Sequence, residues 1–71
     1  MESIYPNLVE TMLKHSTSYE DLARVISVNT DVLIQKMQGT RPWSFIEAVK
    51  VCSHFRTSDV KFLFLQLDTN T

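Results

Sequence analysis

At 71 residues, with one glycine, two prolines and 44% apolar side chains, the chain has room for one small domain whose single core must be shared by every element. Its formal charge of −1, from seven basic and eight acidic residues, removes the counterion-release argument that a strongly basic chain would offer for binding nucleic acid. One cysteine excludes an internal disulfide and, with no signal-like amino terminus, points to a reducing cytoplasm, while no apolar run approaches the ~20 residues that span a bilayer.

In chain order, Met1 to Tyr5 reads as a loose lead-in ended by Pro6, which suits a helix start. Asn7 with Glu10 resembles a capping box, and Leu8/Met12 and Val9/Leu13 form i, i+4 apolar pairs, giving a helix over about 7–15. Ser16 and Thr17 lead to a second helix over about 18–26, where Ser18 and Asp21 form the cap and Leu22, Ala23, Val25 and Ile26 the apolar face. Ser27 and Val28 break the period. Asn29 caps a third helix, about 29–38, in which Leu33, Ile34 and Met37 recur until Gly39 stops the run. After Thr40-Arg41-Pro42, Ser44 and Glu47 make the best capping box in the chain. It opens a helix over about 44–55 with Phe45, Ala48, Val49, Cys52 and Phe55 at 3.6-residue spacing, and Trp43 is placed to staple its start against Ala48. Thr57-Ser58-Asp59 punctuates. Val60, Leu63, Phe64 and Leu67 fit a last helix over about 58–66, although the same stretch alternates well enough to be a strand. Asp68 to Thr71 should fray. The expectation is a compact all-α, five-helix domain over residues 1–71.

Catalytic and metal chemistry find little support. His15 and His54 are far apart, with no Cys or carboxylate at ligand spacing, and read as surface or interface histidines. Cys52 sits on an apolar stripe and reads as a small core hydrophobe, and Met12 and Met37 as core fillers. Without a Gly-rich phosphate loop, a nucleophile elbow or paired acids, no enzyme, cofactor or metal is expected.

The informative stretch is Ser18 to Gly39, two short helices around a tight turn, which is the helix-turn-helix plan with a second helix offered to a partner. At ~100° per residue, Leu33, Ile34 and Met37 share one arc with Thr30. Asp31, Val32, Gln35 and Gln38 face outward, with Lys36 on the flank.

The ordered set Leu22-Ala23, Val28-Asn29, Leu33, Lys36-Met37, Gly39, Arg41-Pro42-Trp43 and Glu47-Ala48 resembles the Cro/CI-type helix-turn-helix family of small phage regulators, over about Tyr5 to Leu65. Ser27 stands where that family usually has Gly, a departure costing about 1 kcal/mol if the backbone takes φ > 0 there. The resemblance implies a phage-type transcriptional regulator in the cytoplasm of a bacterial host, binding operator double-stranded DNA through its third helix. In that role Gln35 would pair with an adenine edge, Thr30 and Gln38 would reach bases or sugars, and Val32 would touch a thymine methyl. Lys36 and Arg41 would hold phosphates, helped by amides at the starts of the second and fourth helices, and Tyr19 takes the place of a family Gln that bridges phosphate and base. The alternative is an antirepressor that covers a phage repressor's DNA-binding domain. Asp31, Glu20 and Asp21 would then mimic phosphates, with Val32 and Ile34 as the desolvated centre, although Glu20 and Asp21 equally suit the dipole of their own helix. Phe62 and Leu65 are surplus to the core and are candidates for a homodimer interface, since repressors read two half-sites as symmetric dimers.

Overall fold

Local side-chain chemistry starts four of the five helices. The computed structural model describes residues 3–67, in which the elements are α1 (Pro6–Lys14), α2 (Tyr19–Val25), α3 (Thr30–Gln38), α4 (Phe45–His54) and α5 (Val60–Leu63), with no strand among the described residues. Ser18, Asn29, Ser44 and Asp59 each accept a hydrogen bond from the backbone N–H three residues on, satisfying an orphan donor of the first turn. At Ser18 and Ser44 the capping box is complete, with Asp21 and Glu47 accepting in return from the cap's own N–H.

The first helix departs from expectation. It begins at Pro6, whose missing N–H needs no cap, and Asn7 and Glu10 form no capping box. Asn7 Nδ2 instead donates to the Phe62 carbonyl at 2.9 Å, and Glu10 pairs with Lys14 at 3.5 Å. Nor is the lead-in loose where it is described. Ile4 N–H donates to the Met37 carbonyl at 2.9 Å, Ile4 carbonyl accepts from Leu67 N–H at 2.6 Å, and Tyr5 is buried. Ile4 thereby ties the end of α3 to the segment after α5. The expected fraying of Asp68 to Thr71 lies outside the described residues, as do Met1 and Glu2.

Four helix ends share one device. After α1, α2, α3 and α4 a single residue turns left-handed, Ser16 at φ 51°, Ser27 at 62°, Gly39 at 84° and Arg56 at 57°. At each end the next residue's N–H reaches back five positions to a carbonyl of the last turn, as Val28 does to Ala23 and Thr40 to Gln35. Only one of the four is glycine, so three carry the cost of order 1 kcal/mol that a Cβ imposes in this region.

The core is built from one face of every helix. Leu8, Met12, Leu22, Ala23, Ile26, Leu33, Met37, Val51, Cys52, Phe55 and Leu63 form one buried cluster with Tyr5. α2 packs on α3 and α4, and α5 packs on α1 and α4. Trp43, Tyr5 and Phe64 meet edge to face with centroids 4.9–6.3 Å apart, closing the end of the core near the start of α4. Four apolar expectations fail: Leu13, Phe45, Val49 and Leu67 continue the apolar period but are 75, 78, 44 and 54% exposed. α5 is a single turn of helix rather than an element reaching residue 66, because Leu67 is drawn away from a helical partner to Ile4. No helix among the described residues is long and apolar enough to cross a membrane.

Candidate recognition surface

Residues 18–42 carry the expected site residues on α2, α3 and the segment that follows, but not all of them face outward. Asp31, Gln35 and Gln38 are exposed along α3, Thr30, Val32 and Ile34 are half-buried, and Leu33 and Met37 are in the core. The Asn29 cap fixes the first turn by accepting from Val32 N–H at 2.9 Å. Gln35 is held by its neighbour: Arg41 Nε donates to its Oε1 at 2.9 Å, while Thr40 N–H donates to its backbone carbonyl at 3.0 Å. A bidentate contact from Gln35 to adenine would therefore have to share that carbonyl with Arg41.

Lys36 is the main correction. Assigned in the sequence to the flank as a phosphate contact, it is 5% exposed. Its Nζ donates to Glu47 Oε1 at 2.7 Å and to the Pro42 carbonyl at 2.9 Å, and lies 5.8 Å from the centre of the Trp43 ring. The same Glu47 oxygen accepts from Ser44 N–H at 2.9 Å, so one carboxylate caps α4 and neutralises α3. Burial pushes the Glu47 carboxyl up, but the Lys36 hydrogen bond, the Ser44 N–H and the lysine's charge outweigh it and hold the group below the ordinary carboxylate range. An ammonium with two good acceptors inside the fold is unavailable to a phosphate without breaking both. Trp43 Nε1, beside this pair, is buried with no hydrogen-bond partner among the described residues. The signal for Lys36 was present in the spacing, since it stands three residues after Leu33 and beside Met37, on the arc that the core takes. Its charge argued the other way, and only the position of Glu47 decides between them.

At the start of α2, Glu20 is exposed and Tyr19 is half-buried, forming one wall of a shallow apolar hollow with Val9, Met12, Leu13 and Thr17. Asp21 is turned back on its own helix. Hydrogen bonds from the Ser18 backbone and hydroxyl, more than the charges of Arg24 and His54, hold its carboxyl below the ordinary range, and Arg24 Nη2 lies 3.4 Å away. The helix-capping role thus accounts for Asp21, and Glu20 with Asp31 remain as the exposed acids of α2 and α3. Of the bases, Lys14 pairs with Glu10 and Arg24 with Asp21, while Arg41 is exposed and engaged with Gln35.

The remaining candidates lie elsewhere. Phe62 and Leu65 are exposed at the other end of the chain. His15 and His54, distant in sequence, both pack on Phe55, with ring centres 5.2 and 5.0 Å from it. No group of three His, Cys, Asp or Glu side chains among the described residues is placed to hold a metal ion. Cys52 is buried and its thiol is pushed up, first by that burial and then by Asp59, so it is a poor nucleophile. No family model, curated protein or solved structure matches the chain.

Proposed function

We propose that this chain is a repressor-like helix-turn-helix regulator of the phage type that works as an antirepressor, offering α3 to the DNA-reading surface of a repressor. One observation carries the choice over direct operator binding: the only base on α3, Lys36, is buried against Glu47, so Asp31 is the one ionised side chain that the helix presents. A groove of DNA repels such a face, whereas the basic surface with which a repressor grips phosphates attracts it. Glu20 adds to the attraction from the start of α2, and Val32 and Ile34, half-buried on α3, supply apolar contact. Gln35 and Gln38 are polar contacts at the rim.

The second reading, direct operator binding, draws on Arg41, which is exposed, follows α3 immediately and is already joined to Gln35. Mixing the purified chain with a phage operator and the repressor that binds it separates the two. An antirepressor releases repressor from the operator while giving no shift of its own, and Asp31→Lys with Glu20→Lys weakens that release by tenfold or more. Binding of the chain alone to the operator, with an affinity that falls steeply as salt rises, would replace this proposal with the DNA reading.

A further inference from the structure

Arg41 is an exposed base whose position is fixed from three directions. Just before it, the Thr40 N–H and the Thr40 hydroxyl both donate to the Gln35 carbonyl, at 3.0 and 3.2 Å. Just after it, the Pro42 carbonyl accepts from the buried Lys36 ammonium at 2.9 Å, and the proline ring restricts the Arg41 backbone to extended conformations. The side chain is held as well, because Arg41 Nε donates to Gln35 Oε1 at 2.9 Å. With Nε and Oε1 spent on each other, what the pair shows to water is donors alone: the Nη1/Nη2 edge of the guanidinium and the Gln35 Nε2 amide. Such an edge matches a carboxylate or a phosphate through two parallel hydrogen bonds. One turn earlier on the same face stands Asp31, at i, i+4 from Gln35, exposed and without an ion-pair partner among the described residues.

We infer that the Gln35–Arg41 pair is a binding site for a carboxylate of the protein that docks on α3, and that this carboxylate stands about one helical turn from the base that Asp31 receives. The inference rests on the reading of α3 as a protein-docking helix, and it specifies the chemistry that the helix meets. A phosphate backbone satisfies Arg41 and is repelled by Asp31. A uniformly basic surface satisfies Asp31 and is repelled by Arg41. Asp31 and Gln35 are about 6 Å apart along the axis, and the guanidinium touches the Gln35 side chain, so both charges act on a single contact. A protein surface that carries an acid and a base one turn apart, as one face of a helix does, satisfies both at once. The basic surface that attracts α3 therefore holds an acid within it. Bracing adds to the strength of the contact, because an arginine ordered before the encounter loses less side-chain freedom on binding than a free one.

Release of a phage repressor from its operator, followed by the mobility of the operator DNA, tests the pair. Arg41→Glu should weaken release about tenfold and Gln35→Ala, which frees the guanidinium, about threefold. Arg41→Lys keeps the charge without the planar edge and should stay closer to Arg41→Ala than to the unaltered chain. In the DNA-binding domain of that repressor, lysine substitution of the exposed acids one at a time should yield one variant that restores release by Arg41→Glu and does not restore release by Asp31→Lys. Nuclear magnetic resonance of the isotope-labelled chain reads the brace without a partner: the Arg41 Nε–H signal should shift and exchange faster with water in Gln35→Ala, while the amide spectrum of each variant establishes that it is folded. Release untouched by Arg41→Glu, or a scan with no restoring acid, would overturn the carboxylate site and leave the antirepressor reading standing. Operator bound by the chain alone and lost with Arg41→Glu would overturn both, since the guanidinium would then be holding a phosphate.

Discussion

The starts of α2 and α4 are built alike and end up in different circumstances. Each has a serine cap and an acidic residue at the third helical position, and in each both reciprocal hydrogen bonds form, at 2.9–3.1 Å. At α2 the acid stays near water and its ion pair is with Arg24 of its own helix, 3.4 Å away with both side chains well exposed. At α4 the acid is a tertiary link: Glu47 reaches 2.7 Å to Lys36 of α3, and the two side chains are only 18% and 7% exposed. The same kind of local motif is a helix starter in one place and, in the other, also a clamp between Lys36 of α3 and the start of α4. The environment of the second partner makes the difference, because a surface ion pair contributes ~0–1 kcal/mol whereas a broken buried one strands a charge.

The largest expected effect follows from that clamp. Glu47→Gln leaves Lys36 buried without its counter-charge and should destabilise by about 3–5 kcal/mol in denaturant unfolding. Replacing both partners, Lys36→Met with Glu47→Gln, should restore most of that loss, since the buried charge goes with its partner. A double variant as unstable as the single one would mean that the acid matters only as a cap. Removing the caps should cost about 1 kcal/mol each for Ser18→Ala and Ser44→Ala, so that equal losses would locate the asymmetry wholly in the Lys36 link. At Gly39 an alanine would need φ near +84° and would place its Cβ 2.6 Å from Ile4 Cδ1. The methyl end of Ile4 can move, so Gly39→Ala should cost ~1 kcal/mol or somewhat more in the same measurement. Arg24→Ala should change stability least, within error at moderate salt.

Acid titration sharpens the same contrast. Both Asp21 and Glu47 have folded-state values below the ordinary carboxylate range, so the unfolded chain binds protons that the folded one does not. The stability that these groups contribute is fully present above the ordinary range and is lost as pH falls through their lowered values. Glu47→Gln should flatten that acid loss. Added salt should remove only the small Arg24 part of the Asp21 contribution, since the Ser18 hydrogen bonds dominate it, and should leave the buried Glu47 pair largely unscreened.

Much of this fold is legible along the chain because its signals are local. Ser18, Asn29 and Ser44 announce their helices through a hydrogen bond three residues away, and Gly39 ends α3 through a backbone angle that needs no distant neighbour. Where the decisive partner is remote, the pattern misleads. Asn7 looks like a cap and serves Phe62, 55 positions on; Phe45 looks like core and lies outside it; residues 58–66 look like a longer helix until Leu67 meets Ile4. The candidate recognition surface divides the same way. Asp31, Gln35 and Gln38 follow from the helical period, while the loss of Lys36 from that surface does not.

By itself, then, the order of residues determined which segments are helical, where most of them begin, and which edge of α3 is polar, since capping and the 3.6-residue period act over distances of a turn or less. Only the folded arrangement decided that the one base of α3 is buried against Glu47, that Ile4 joins the end of α3 to the segment after α5, and that the apolar start of α4 faces water. Those outcomes depend on which surfaces of different helices meet, and desolvation and close contact between residues far apart in the chain have no counterpart in local spacing.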